Sequence, residues 1–246
     1  MHKTIQKFKA ETITDFIQII EDECLSEYIL FRGQSEDWDL LPRIARINPR
    51  NGISILKAEI DMIEDFKRLS RPFLKIVPNS TWDWLSNAQH YGMPTRLLDW
   101  STNPLTALWF AVQNPSTQKD GVVWLFKVPE QDIIKSREVK TIDPFNQKRT
   151  KVYQPEIISE RIHSQNAWFT LHKYLTDDDI FIPFQKNSVY KKFLTKIIIP
   201  QDEFALIRYQ LERLGINKLS LFPDLEGAAL HAEWKNAYKE DEEGTC

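Results

Sequence analysis

A helix that is apolar on nearly every side constrains the fold of this chain more than any other feature. Asn103 or Thr102 is placed to cap its start, and Pro104 stands in the first turn, where a helix tolerates proline. Apolar residues then continue through Val112 without a polar face. Because such a helix offers no side to water, the sequence predicts that it lies at the centre of the fold.

The strongest strand pattern follows this helix, at residues 121–128. Shorter apolar runs at 28–31 and 196–199 also indicate strands. Helical spacing of apolar residues predicts the remaining helices, at residues 13–23, 54–69, 82–91, 201–214 and 224–239. The pattern predicts an α+β fold, in which a small, partly antiparallel sheet is flanked by helices.

The chain shows no linker that would divide it, so we expect one domain over residues 1–246, with its core at about 12–238. Residues 131–155 are polar and rich in lysine, which favours a flexible excursion. The acidic residues 240–246 are expected to fray.

Composition excludes several classes of protein. Seven glycines are few for a glycine-rich nucleotide loop, and neither G-x-G-x-x-G nor G-x-x-x-x-G-K-[ST] occurs. A net charge of −3 argues against coating nucleic acid through bulk electrostatics, although it leaves room for a local basic groove. Cys24 and Cys246 suggest neither a disulfide framework nor a metal site. Without a signal-peptide pattern or a long apolar segment, the expected location is the cytoplasm, with no membrane partner.

Arg32 is the first candidate functional residue. It directly follows the apolar run 28–31, and an unpaired guanidinium at the end of a buried strand is costly. It must therefore meet an anion or open into a cleft. A structural ion pair with Asp99 is the alternative explanation. Gly33 would allow close approach to the backbone.

The second candidate region is the polar run 89–102, which lies between a predicted helix and a predicted strand. Asp99 stands there as either a cap or a site carboxylate. His90 has no second ligand at metal-binding spacing, so no metal site is predicted. His90 and Tyr91 are equally well explained as residues that hydrogen-bond the loop.

The third candidate region begins the last helix, where Asp224 and Glu226 stand in the first turn. Capping and the helix dipole alone explain two carboxylates there. Gly227 and the two following alanines leave a bare surface that a backbone or a ligand could approach. A weaker candidate is 161–172, where Arg161 and Gln165 share a face if the segment is helical.

Several of these blocks, in this order and spacing, resemble the FRG domain family. They are FRGQ at 31–34, LLPRIAR at 40–46, AQHYGMPTRLLDWSTNPLTALWFA at 88–111 and LFPDLEGAA at 221–229. The resemblance covers about residues 12–238. The blocks also follow the order seen in ADP-ribosyltransferases of the Arg–Ser–Glu type, which implies a fold of that type and NAD as substrate.

This second resemblance implies a role for each block. Arg32, with Gly33 and Gln34, would hold the NAD phosphates or ribose, and Ser101 and Thr102 would brace the site. Glu226, with Asp99, would stabilise the oxocarbenium-like state that forms as the nicotinamide–ribose bond breaks. Aromatic walls would come from Tyr91 and Trp100.

The hypothesis that follows is an NAD-dependent ADP-ribosyltransferase. The FRG resemblance further implies a bacterial toxin or antiphage effector that modifies RNA or protein, with an antitoxin as an expected partner. Two alternatives remain at this point: an NAD glycohydrolase, and a non-catalytic module that binds a nucleotide or a partner protein.

Overall fold

A computed structural model describes residues 4–24, 26–115, 118–156 and 164–242. Its centre is a seven-stranded sheet in the order β1-β9-β4-β2-β3-β6-β5. Neighbouring strands are antiparallel except β1 and β9, which run parallel. The strands are β1 (Gln6–Lys9), β2 (Ile29–Gln34), β3 (Leu97–Ser101), β4 (Gly121–Lys127), β5 (Lys151–Tyr153), β6 (Ala167–Leu171) and β9 (Leu194–Ile199), with β7 (Tyr174–Leu175) and β8 (Ile180–Phe181) forming a separate hairpin.

Helices pack around this sheet, which confirms the predicted α+β class. Short 3₁₀ turns connect several elements, including one at Arg43–Arg46. Among the described residues, no helix has both the length and the apolar character needed to cross a lipid bilayer. The α-helices are α1 (Ile13–Glu23), α2 (Ile55–Ser70), α3 (Thr81–His90), α4 (Pro104–Val112), α5 (Phe204–Arg213), α6 (Lys218–Leu221) and α7 (Leu225–Asn236).

The central helix predicted from the sequence is α4. The Asn103 side chain caps it by accepting a hydrogen bond from the Leu105 amide, 2.9 Å away. Leu108 and Val112 are fully buried. Strand β4 is buried on both faces: Val123 and Leu125 face the cluster formed with α1, α4 and α5, while Trp124 and its neighbours pack on the opposite side. Two-sided burial explains the unbroken apolar run of this strand.

Several short elements of the structure were not among those predicted from the sequence. Residues 131–155 contribute edge strand β5, and Val152 and Tyr153 are buried there. Within the weaker candidate 161–172, residues Ala167–Leu171 form strand β6, whereas Arg161, and with it the predicted face shared with Gln165, lies outside the described residues. A 3₁₀ turn at Gln201–Glu203 precedes α5. Strands of three to five residues carry too few alternations to be recognised by pattern.

Strands β2 and β3 are joined at one residue pair only, Phe31 with Ser101. Beyond that pair β2 continues its ladder with β4 as far as Gln34, whereas β3 continues with β6. The two strands therefore diverge at the middle of the sheet, and a cleft opens between them.

A buried ion pair secures the chain where β3 begins. Both Arg96 and Glu59 of α2 are 1 % exposed or less. The Glu59 carboxylate accepts bonds from the Arg96 Nη2 (2.6 Å), Nε (2.8 Å) and backbone amide (2.7 Å). Arg96 Nη1 donates to the Pro144 carbonyl, 3.3 Å away, and the guanidinium lies 4.9 Å from the Phe145 ring centroid. One side chain thus ties β3 to α2 and to the segment before β5.

We expect Glu59→Gln to lower the free energy of unfolding by about 3–5 kcal/mol, because it leaves the buried Arg96 charge uncompensated. Urea denaturation of the two proteins measures the difference. Glu64→Gln, on the same helix but in an exposed pair with Lys67, is the control and should cost less than about 1 kcal/mol. Equal losses in the two variants would show that the buried pair is not a key anchor.

Candidate functional site

The divergence of β2 and β3 creates a cleft of about 460 Å³. Its walls come from both strands, from α3 and α4, from residues 35–46 and from the segment that leads into β6. The polar residues among its lining are Arg32, Gln34, Ser35, Arg43, Arg46, Ser86, Gln89, His90, Asp99, Ser101, Thr106, Gln113 and Gln165.

Arg32 bridges the gap between the diverging strands. Its Nη1 donates to the Asp99 carbonyl at 2.8 Å and lies 3.7 Å from the Asp99 carboxylate. Burial lowers the pKa of Arg32, and the nearby charge of Arg46 lowers it further, while the Asp99 carboxylate opposes the change. The Arg32 Nε is buried and has no hydrogen-bond partner among the described residues. The guanidinium thus sits where an additional anion is favoured.

Asp99 is oriented from α3 as well as by Arg32. The Gln89 Nε2, in the last turn of α3, donates to the Asp99 Oδ1 at 2.8 Å. The Gln89 Oε1 in turn accepts a bond from the Thr95 hydroxyl. The Asp99 side chain is nevertheless 61 % exposed. The ion pair between Arg32 and Asp99 that was considered from the sequence does form, yet it leaves the Asp99 carboxylate accessible from the cleft.

Gly33 and Gln34 line the cleft and are also held by the fold. A Cβ atom at Gly33 would lie 1.8 Å from the Ala107 carbonyl oxygen, so the close approach expected at this glycine is made by helix α4. The Gln34 Oε1 accepts a bond from Trp124 Nε1 at 3.1 Å, and Gln34 is almost completely buried.

Ser101 lies at the inner end of the cleft, where β2 and β3 join. Its hydroxyl donates to the Gln165 carbonyl at 2.7 Å and accepts from the Asn103 amide at 3.0 Å. These bonds brace the start of α4 against the segment before β6. Thr102 lines a different pocket, next to Ile20 of α1.

The aromatic residues expected as walls are placed differently. Trp100 lines the cleft but is 3 % exposed, and its Nε1 donates to the Thr170 hydroxyl at 2.9 Å. Tyr91 is 69 % exposed and is not part of the lining. The other rings that line the cleft are Phe31, Trp38, Phe110 and Phe169.

Glu226 is not brought together with Arg32 and Asp99. It is exposed in the first turn of α7 and does not line the cleft. Asp224 caps that helix by accepting from the Gly227 amide at 2.7 Å. The bare surface at Gly227 is covered by the chain itself, because a Cβ atom there would lie 1.9 Å from the Phe222 carbonyl oxygen.

A second cavity, of about 250 Å³, lies between α5 and α7. Its buried cation, Arg208, is bonded to Asp241 and Glu242 and to the carbonyls of Val112 and Asn114. With the charge of Arg208 satisfied inside the fold, the first cleft is the better candidate for binding an anion.

Among the cleft residues for which the sequence suggested no role are Trp38, Arg43, Arg46 and Gln89. Arg43 and Arg46 belong to the LLPRIAR block, and Gln89 belongs to the polar run 89–102, so their blocks were visible. Their position in the cleft could not be predicted from the sequence, because it depends on how the 3₁₀ turn at Arg43–Arg46 and helix α3 face the diverging strands.

His172 lies behind the cleft, directly after β6. It is 2 % exposed, and its Nε2 is 3.1 Å from the Thr170 hydroxyl. Burial lowers the pKa of His172 to about 3, and the charge of Arg32 adds to the effect. His172 is therefore neutral near pH 7 and adds no positive charge beside Arg32.

The profile of the FRG domain matches residues 27–120. This segment contains β2, α2, α3, β3 and α4, and therefore Arg32, Gln89 and Asp99, but it ends well before Glu226. No curated protein and no solved structure matches the chain.

We expect the stability of the protein to fall as the pH drops from about 6.5 towards 3. Across that window His172 binds a proton in the unfolded chain but remains neutral in the folded one, so acid favours unfolding. Urea denaturation at pH 7, 6 and 5 should show a loss of up to about 1.4 kcal/mol per pH unit that His172→Gln lacks. Parallel pH profiles of the two proteins would contradict this assignment.

Proposed function

We propose that the cleft binds NAD and that the protein is an NAD-dependent ADP-ribosyltransferase. The observation that carries the proposal is the pairing of Arg32 with an accessible Asp99 carboxylate at the point where β2 and β3 diverge. At about 460 Å³ the cleft falls within the usual range for small-molecule sites.

Arg32 is suited to the pyrophosphate of the dinucleotide. A guanidinium binds phosphate oxygens through two parallel N–H donors, and the Arg32 Nε is without a partner among the described residues. The nearby positive charge of Arg46, which lowers the pKa of Arg32, also favours an anion bound to Arg32. Binding of pyrophosphate would relieve the repulsion between these two cations.

Asp99 is suited to the reacting ribose. When the bond between the ribose C1″ and the nicotinamide nitrogen breaks, nicotinamide leaves with the bonding electron pair and the ribose becomes oxocarbenium-like. A carboxylate close to that ring stabilises the positive charge. The acceptor then forms a bond to C1″ and gives up its proton, for which Asp99 is a base. Gln89 keeps the carboxylate oriented.

The proposal assigns the carboxylate role to Asp99 because Glu226 does not line the cleft. Glu226 therefore becomes an informative comparison: it is a carboxylate that the resemblance to ADP-ribosyltransferases singles out, yet it stands on an exposed helical turn. The effector role in a toxin–antitoxin or antiphage system belongs to the same proposal, supported by the FRG match alone.

Purified protein incubated with NAD should release nicotinamide, and Asp99→Asn should reduce that rate by about 10²–10³-fold. Arg32→Ala should mainly raise the KM for NAD, because it removes a phosphate ligand. Glu226→Gln should stay within a few-fold of wild type. Circular dichroism and thermal melting of each variant provide the control for folding.

Transfer of label from NAD to material in a cell extract distinguishes the outcomes of this experiment. Release with transfer supports the transferase, whereas release to water alone indicates an NAD glycohydrolase. If the wild-type protein neither binds nor cleaves NAD, the proposal fails and a non-catalytic binding module is favoured. Loss of activity in Glu226→Gln with Asp99→Asn unaffected would overturn the assignment of the carboxylate.

A further inference from the structure

An exposed tryptophan stands in the lining of the cleft, on a segment whose acidic residues are paired with lysines. Trp38 is 49 % exposed, although tryptophan is usually largely buried. The acidic residues around it are each paired with a lysine from another part of the chain: Glu36 with Lys119, Asp37 with Lys196, and Asp39 with Lys186. Three ion pairs thus connect the segment that carries Trp38 to other parts of the chain.

These ion pairs also change the electrostatics of this part of the cleft. They neutralise the carboxylates on both sides of Trp38, so the acidic sequence around it presents little free negative charge. By contrast, Arg43 and Arg46 are exposed and form no ion pair among the described residues. Their hydrogen bonds run to the carbonyls of Gly92 (2.7 Å) and Leu41 (3.4 Å).

An exposed ring and two unneutralised arginines therefore line the same cleft as Arg32 and Asp99. Flat aromatic surfaces beside cations are how proteins bind single-stranded nucleic acids: the bases stack on the rings, and the backbone phosphates meet the cations. A duplex does not fit this arrangement, because its bases are already stacked and paired.

We propose that Trp38, Arg43 and Arg46 form a binding site for single-stranded nucleic acid, and that this strand is the acceptor of the ADP-ribosyl group. The second part rests on the proposed function, whereas the binding itself does not. A base stacked on Trp38 places a neighbouring nucleotide in the cleft that contains Asp99. A nitrogen or hydroxyl of that nucleotide bonds to C1″ and passes its proton to Asp99, and nicotinamide leaves with the electron pair.

The binding is tested by fluorescence anisotropy with an end-labelled single-stranded RNA of about 12 nucleotides, its DNA counterpart and the matching duplex, all without NAD. We expect the single strands to bind more tightly than the duplex. Trp38→Ala should weaken binding by about fivefold or more, through loss of stacking. The double variant Arg43→Ala/Arg46→Ala should reduce the slope of log K against log salt by about 1.4, corresponding to two phosphate contacts.

The matched control is Arg71→Ala/Phe73→Ala. Phe73 is 84 % exposed and stands close in sequence to Arg71, but neither residue lines the cleft. This variant should bind RNA as the wild type does. Trp38→Ala binding as tightly as this control, or a wild-type protein without affinity for either single strand, would overturn the proposal.

Two further readouts separate this inference from the proposed function. Asp99→Asn should bind the oligonucleotide at least as tightly as wild type, since it removes a negative charge from the cleft, but should transfer no label. Oligonucleotide binding without NAD cleavage would defeat the proposed function and, with it, the assignment of the strand as acceptor, but would leave the binding site for the strand supported. Cleavage without oligonucleotide binding would defeat only this inference. Label recovered solely on protein would show that the acceptor is a polypeptide and overturn the assignment of the strand as acceptor.

Discussion

The divergence of β2 and β3 is the constraint on which the candidate site depends. In a continuous antiparallel ladder Asp99 would exchange backbone hydrogen bonds or side-chain contacts with β2, and no cleft would exist. Because only Phe31 and Ser101 remain paired, the Asp99 carbonyl on that side needs another donor. Arg32 supplies it, so the side chain that satisfies the opened backbone also places a cation beside an accessible carboxylate.

Strand β3 is held at both ends while its middle faces the cleft. At its start, the buried pair of Arg96 and Glu59 connects it to α2. At its far end, the Ser101 hydroxyl connects the Gln165 carbonyl to the Asn103 amide at the beginning of α4. Anchors of this kind fix the position of a catalytic or binding group without contacting the ligand themselves, and they allow Asp99 to stay exposed without becoming disordered.

The parts of the molecule that could be predicted from sequence are those fixed by local chemistry. The apolar helix at Pro104–Val112, its Asn103 cap and the buried strand β4 each follow from residue pattern. The cost of a buried, unpaired guanidinium predicts that Arg32 meets an anion or opens into a cleft, with Asp99 as one candidate partner. Ion-pair partners that are distant from each other in the sequence could not be predicted in this way. Nothing near Glu59 indicates Arg96, and the three lysines that neutralise the acids around Trp38 come from positions 119, 186 and 196.

The contact between Gly33 and Ala107 has a mechanical consequence. Because even a Cβ atom does not fit between Gly33 and the Ala107 carbonyl, β2 and α4 cannot move closer together or slide past each other without a clash. This close packing supports the strand that carries Arg32. Any widening of the cleft that moves β3 away from β2 would have to break the bonds from Arg32 to Asp99 as well as the one backbone pair, Phe31 with Ser101.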